Sequence, residues 1–218
     1  MGTPERLSEH VQLEIREPIA ILTLDRPDKR NALDGGTVRT FGEFFGDPPS
    51  EVAAAVLTSS GEHFSAGLDL SELTTTTVFE GVLHSRGWHE QFDKIQFGKV
   101  PVVSVLRGAV IGGGLELAIA THIRVAEPSA YYALPEGSRG IFVGGGGSVR
   151  LPRLIGVQRM ADMMLTGRVI DARSGLDLGI SQYLVDDGEG LATAMALAER
   201  IAQNSPVTNY AVLQTLPR

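Results

Sequence analysis

Val110-Ile111-Gly112-Gly113-Gly114-Leu115-Glu116 is the stretch on which the fold turns. A buried strand runs into three glycines, and Leu115 to Ala120 continues with a helical pattern that carries a carboxylate in its first turn. Upstream, Pro101 to Leu106 and Val52 to Thr58 are apolar runs of strand length, and between them Phe79 to Phe97 spaces Phe79, Val82, Leu83, Trp88, Phe92 and Ile95 as an amphipathic helix. Thr37 to Phe45 has helical spacing and stops at Asp47-Pro48-Pro49. Before it, Val11 to Ile15 and Ile19 to Leu24 alternate on either side of Glu17-Pro18, which predicts a β-hairpin. Downstream, His122 to Ala126, Tyr131 to Leu134 and Gln182 to Val185 read as strands. Pro152 to Leu165, Ala172 to Leu178 and Leu191 to Gln203 read as helices, and Thr74 to Thr77 as a loop. Strands alternating with helices predict an α/β domain, and no linker divides the 218 residues.

Composition narrows the function. The chain has 19 Lys and Arg against 26 Asp and Glu, a net charge of −7, which disfavours a general nucleic-acid or anionic-membrane binder because both need a positive field. The absence of cysteine excludes thiolate catalysis and cysteine metal sites. Met1 to His10 lacks the apolar core of a secretion signal, and Val100 to Ala120 is interrupted by Arg107, the glycines and Glu116, so no membrane span is expected and a cytoplasmic location is. Glycine supplies 26 of 218 residues, above the usual share of roughly 7%. It clusters at 112–114 and 144–147, where backbone is expected to approach something closely.

Several chemistries fail on their own residues. Leu117 and Val149 stand where G-x-G-x-x-G requires its last glycine, and no G-K-S or G-K-T follows any glycine. Ser138 lacks a nucleophile elbow, because Glu136 occupies the place of its first glycine. His84 and His89, five apart on one helix, are poor co-ligands for a metal, so no metal site is expected. What remains is the opening of the helix at Gly112. Bare N–H groups at a helix N-terminus stabilise negative charge developing on a substrate oxygen, and Glu116 one turn on suits proton transfer. The same segment also reads as tight helix–strand packing, with Glu116 merely favouring the helix dipole. Glu136, twenty residues further on behind Tyr131-Tyr132-Ala133-Leu134-Pro135, is expected to have a raised pKa among apolar neighbours.

His63-Phe64-Ser65-Ala66-Gly67-Leu68-Asp69-Leu70, Gly108 to Leu117, and Leu134-Pro135-Glu136 with Gly144-Gly145-Gly146, in that order, resemble the enoyl-CoA hydratase/isomerase (crotonase) family. Arg26-Pro27-Asp28-Lys29-Arg30-Asn31-Ala32-Leu33 resembles its N-terminal signature, and Leu165-Thr166-Gly167-Arg168 with Ala172 to Gly179 its later helices, so the similarity covers about residues 10 to 205. The resemblance implies one crotonase-like domain over 1–218, a spiral of ββα units with its core at about 10–186. A helical part at about 187–218 would follow, shortened because family members usually continue beyond the point where this chain stops. It implies a backbone oxyanion hole from the N–H groups of Leu68 and Gly113, catalytic Glu116 and Glu136, and an acyl-CoA substrate with no separate cofactor. Arg26, Lys29 and Arg30 would hold the CoA phosphates by charge and by motif. Ala32, Ala66, Asp69 and Leu70 would line its path. The helix bearing Trp88 either walls the acyl pocket or packs in the core.

Retention of both glutamates favours hydration of a 2-enoyl-CoA to a 3-hydroxyacyl-CoA, with Glu116 activating water and Glu136 giving a proton to the α-carbon. The alternatives are another reaction on the same oxyanion hole (isomerisation, dehydration, thioester or carbon–carbon cleavage) and a non-catalytic acyl-CoA-binding member. By resemblance the assembly is a homotrimer or a dimer of trimers.

Overall fold

A computed structural model describes residues 4–72 and 77–217 of the chain. Its first strand, β1 (Glu5–Ser8), lies in the polar N-terminal stretch that sequence patterning leaves unassigned, because an edge strand needs only a partner backbone and little apolar content. The partner is β2 (Val11–Arg16), which forms the expected hairpin with β3 (Ile19–Leu24), Leu13 opposite Leu22. Helix α1 (Gly35–Gly46) follows, with Asp34 accepting from the Thr37 N–H at its start. Then come β4 (Ala54–Ser59), α2 (Val78–Gln96), whose first turn is closed by Thr77 and Glu80, and β5 (Val102–Leu106). Thr77 is therefore a helix cap; the rest of the expected threonine loop, 74–76, lies outside the described residues.

At Gly108, in the left-handed region with φ +50, the chain leaves this sheet for β6 (Ala109–Ile111). A Cβ at Gly108 would stand 2.2 Å from the Glu62 carbonyl oxygen, so the crossing needs glycine. Helix α3 (Gly113–Ala120) starts two residues earlier than the apolar pattern suggested, since glycines carry no periodic signal. After β7 (Ile123–Ala126) and β8 (Tyr131–Ala133), the single helix expected over Pro152 to Leu165 is two, α4 (Gly147–Ile155) and α5 (Val157–Thr166). They break at Gly156, where φ is +86 and ψ 150. Pro152 sits inside α4 and does not begin a helix. The chain closes with β9 (Ile170–Asp171), α6 (Ala172–Asp177), β10 (Tyr183–Leu184), α7 (Gly190–Ala202) and α8 (Pro206–Thr215). The last two helices occupy the part expected to be helical.

Among the described residues, one sheet has the order β1-β2-β3-β4-β5-β7-β10, parallel from β3 onward, and a smaller one the order β6-β8-β9. The parallel strands are buried on both faces, which is why they read as unbroken apolar runs. Ile19, Ile21, Ala54, Val56, Val103 and Val105 face Ala194 and Ala198 of α7. Their neighbours Ala20, Leu22, Ala55, Leu57 and Val102 face the other way, into the core shared with Phe41, Phe45, Phe92 and Leu115. The site is built on this second face.

Candidate active site

The loop Arg26 to Leu33 is laid against the loop after β4. Arg30 and Asn31 both adopt positive φ, 50 and 54. Asn31 is fully buried, accepts from the Arg26 N–H at 2.8 Å and donates to the carbonyls of Ser60 and His63 at 2.9 and 2.7 Å. Asparagine tolerates the left-handed region and its amide bonds nearby backbone. Sequence reasoning missed this organising role, although an asparagine five residues past Arg26 in a charged loop was the signal. The Leu33 N–H donates to Gly67 O at 2.7 Å, and the Ala66 and Asp69 N–H groups donate to Arg30 O and Leu33 O. The second loop also grips β6, Ser65 N to Ala109 O and Ile111 N to Ser65 O.

These bonds leave the N–H groups of Leu68 and Gly113 without an acceptor among the described residues, side by side at the start of α3. Each of the three glycines at 112–114 makes room for a different neighbour. A Cβ on Gly112 would stand 2.6 Å from Glu136 Oε1, one on Gly113 2.8 Å from the Trp88 ring and 3.4 Å from Leu68 N, and one on Gly114 2.6 Å from Ser65 O. The glycines thus give close packing, and they also leave donors bare, among the described residues, beside a carboxylate. Gly67, at φ +88, is equally constrained, for its Cβ would stand 2.6 Å from Ile111 O.

Glu116 is buried, and its Oε1 accepts from the N–H groups of Gly145 and Gly147 at 2.8 and 2.7 Å. Burial pushes its pKa up to about 7; the two N–H donors oppose the rise, the charge of Glu136 adds to it, and Arg150 opposes it. Glu136, buried in the 3-10 turn Pro135–Arg139, also has a raised pKa, from burial, with Arg139 opposing. Its Oε2 has no hydrogen-bond partner among the described residues. Both carboxyl groups, Leu68, Gly113 and Trp88 line one cavity of about 560 Å³. Val78, Val82, His84 and Ser85 of α2 and residues 140–144 complete it. Trp88 both walls this cavity and packs in the core, its ring 5.7 Å from that of Phe92. The helix that carries it is buried at Trp88, Phe92 and Ile95, whereas Phe79, Val82 and Leu83, on the same amphipathic spacing, are exposed.

The remaining expected site residues lie off the cavity wall. Arg26 is held in an ion pair with Asp69 at 2.7 Å and lies 3.8 Å from Asp34, so its charge is already partnered. Asp69 also accepts from the Ser71 hydroxyl and N–H, which with Arg26 pulls its pKa down to about 2. Asp69 is thereby a brace for the loop. Lys29 and Arg30 are exposed, with no side-chain partner among the described residues, and remain available to an anion. Ala32 and Ala66 are half-buried along the stitched loops and Leu70 is exposed. Among the described residues no cluster of His, Asp and Glu has the makings of a metal site, and no helix is long and apolar enough to cross a membrane.

The family model for enoyl-CoA hydratase/isomerase matches residues 14–217. The chain belongs to this family. A short-chain-enoyl-CoA hydratase of Clostridium acetobutylicum is 33% identical over 201 residues, which cover 91% of this chain and 77% of that protein. A carnitinyl-CoA dehydratase of Salmonella enteritidis is 35% identical, over 92% of this chain and 77% of its own length. Among solved structures, a candidate enoyl-CoA hydratase from Rhodopseudomonas palustris matches all of this chain and 84% of its own, with 57% identity and a TM-score of 0.94. One from Thermobifida fusca, determined in complex with CoA, is 27% identical over 94% of this chain and 83% of its own, with a TM-score of 0.86. This family member is an enzyme, a lyase, with a crotonase-like mixed α/β fold.

Proposed function

We propose that this enzyme adds water to a 2-enoyl-CoA to give a 3-hydroxyacyl-CoA. The observation that carries the reading is the meeting, in one cavity, of two buried carboxyl groups with two N–H donors that have no acceptor among the described residues. In this reading the thioester oxygen sits between the N–H groups of Leu68 and Gly113, whose preorganised dipoles stabilise the enolate that forms as water attacks. The water oxygen bonds to the β-carbon and the carbon–carbon π bond opens toward the α-carbon. Glu116, anchored through Oε1, takes a proton from the water. Glu136, with Oε2 unpartnered, delivers one to the α-carbon. The elements of one water are thereby added, and a proton has moved from Glu136 to Glu116, which exchange with solvent or between the carboxyl groups reverses. The two groups titrate as a pair, and burial raises both, Glu116 to about 7, where a carboxyl group is able to serve as acid and as base near neutrality. Lys29 and Arg30 meet the CoA phosphates.

The test is to incubate the enzyme with short, long, branched and aromatic 2-enoyl-CoAs and follow enoyl-thioester absorbance and product mass. Gain of one water with loss of the absorbance is the expected result. Unchanged mass with a displaced double bond, or bound but unaltered thioester, overturns the hydratase reading.

A further inference from the structure

The glycine segment at 144–147 supplies both N–H donors to Glu116 yet has no side chain of its own to hold it in place. Arg150, in the first turn of α4, is buried and does so. Its Nη1 donates to Gly145 O at 2.6 Å, its Nε to Gln96 Oε1 at 2.7 Å, and its Nη2 to Asp93 Oδ1. One guanidinium thus ties to α2 the glycine segment whose N–H groups bond Glu116. Contact is tight at Gly146, where a Cβ would stand 2.1 Å from Nη1; that residue, at φ +95, is able to be little other than glycine. Asp93, the counter-ion, lies on the solvent side with its side chain 52% exposed, so water screens it from the interior more than it screens Arg150.

We propose that Arg150 is a positioning residue for Glu116, fixing the segment of its two backbone donors and adding a positive charge next to that segment so that the ionised form persists in a buried site. The inference rests on the assignment of Glu116 to proton transfer made above. Besides Arg150, the titratable or charged groups on the elements around Glu116 are Glu136 and Arg139 of the 3-10 turn, Arg153 of α4, and Glu80, His84, Arg86, His89, Glu90, Asp93 and Lys94 of α2. Of these, Glu136 acts on Glu116 in the opposite sense to Arg150. A cation fixed near a buried carboxylate offsets part of the desolvation that otherwise drives it neutral.

The experiment follows the carboxyl stretch of Glu116 by infrared spectroscopy as pH is varied, with the band assigned by its loss in Glu116→Gln. Three variants are compared with the wild type: Arg150→Met, Arg150→Lys and Asp93→Asn. Arg150→Met is expected to move the midpoint up by about one pH unit, within the range for removing a nearby opposite charge. Arg150→Lys is expected to return part of that shift, because it restores charge without the fork. Asp93→Asn, at a half-exposed position, is expected to move the midpoint down, since the anion that offsets the Arg150 charge is gone while Arg150 stays. A purely structural Arg150 would not give shifts of opposite sign. An unmoved midpoint in folded Arg150→Met overturns the proposal, as does an unmoved or raised midpoint in Asp93→Asn, which decides the matter if Arg150→Met does not fold. The titration needs no turnover, so a failure to hydrate enoyl-CoA would overturn the proposed reaction and leave this measurement standing.

Discussion

Glu116 and Glu136 differ in how they are held, and the proposed division of their chemistry follows that difference. Glu116 accepts two backbone N–H groups through one oxygen, whereas Glu136 keeps an oxygen with no partner among the described residues. Replacing either by glutamine preserves shape and removes the exchangeable proton. Turnover is expected to fall by about 10²- to 10⁴-fold in each variant, with acyl-CoA affinity changed only a few-fold, as steady-state kinetics and calorimetry would read. Stability carries a separate signature. Glu116 ionises near 4.5 in the unfolded chain and near 7 in the folded one, so the folded state binds more protons between those values. Stability therefore falls as pH rises from about 4.5 to 7, and the cost is complete above 7. In urea unfolding, Glu116→Gln is expected to exceed the wild type by on the order of 3 kcal/mol at about pH 8 and to lose that advantage near pH 4.5. An equal difference at both pH values would refute the account. At this scale the residue types and their order were legible in the sequence, but the contrast between the two carboxyl groups was not. It depends on residues 145 and 147, which no local pattern links to residue 116.

Elements bring these residues together through glycine. Gly67 at φ +88 lets Leu68 present its N–H beside Gly113, and a methyl group there would meet Ile111 O at 2.6 Å. Gly67→Ala is expected to cost about 1–3 kcal/mol through backbone strain and to lower kcat by about 10²- to 10³-fold by displacing a donor. The pair of effects separates a misplaced donor from simple loss of stability, if activity is measured well below the unfolding temperature. The charged loop before α1 divides its labour differently. Arg26 braces Asp69, while Lys29 and Arg30 face solvent. Replacing Lys29 and Arg30 together by alanine is expected to raise KM for acyl-CoA several-fold, more at low salt than at high salt, with kcat nearly unchanged. Sequence patterning identified this loop as basic and found most strands and helices within a few residues, leaving the short strands β1 and β9 unassigned. It ran the segment from Pro152 to Leu165 together as one helix, because the apolar spacing continues through Gly156 and only the backbone angle there shows the break.

Across the whole molecule the large sheet separates support from chemistry. One face carries α7, through Ala194 and Ala198, and the other carries the core that α1, α2 and α3 share with the site. Ala198 is fully buried against the sheet. Enlarging it in Ala198→Leu is expected to destabilise the fold by about 1–3 kcal/mol while leaving kcat and KM within two-fold or so, since additivity holds for sites that share no partners. A large loss of kcat in the folded variant would show that the two faces are coupled.

The order of strands and helices, the anionic balance, the two carboxylates and the glycine-rich helix start are properties of the sequence alone. They follow from local periodicity and residue chemistry, which need no knowledge of what lies across the chain. Tertiary structure decided which N–H groups stay free among the described residues, that Arg26 is committed to Asp69, that Arg150 ties the segment bonded to Glu116, and that both carboxyl groups are removed from water. Each of these joins residues distant in sequence, and burial, the force that sets their charge states, exists only once the chain has closed around them.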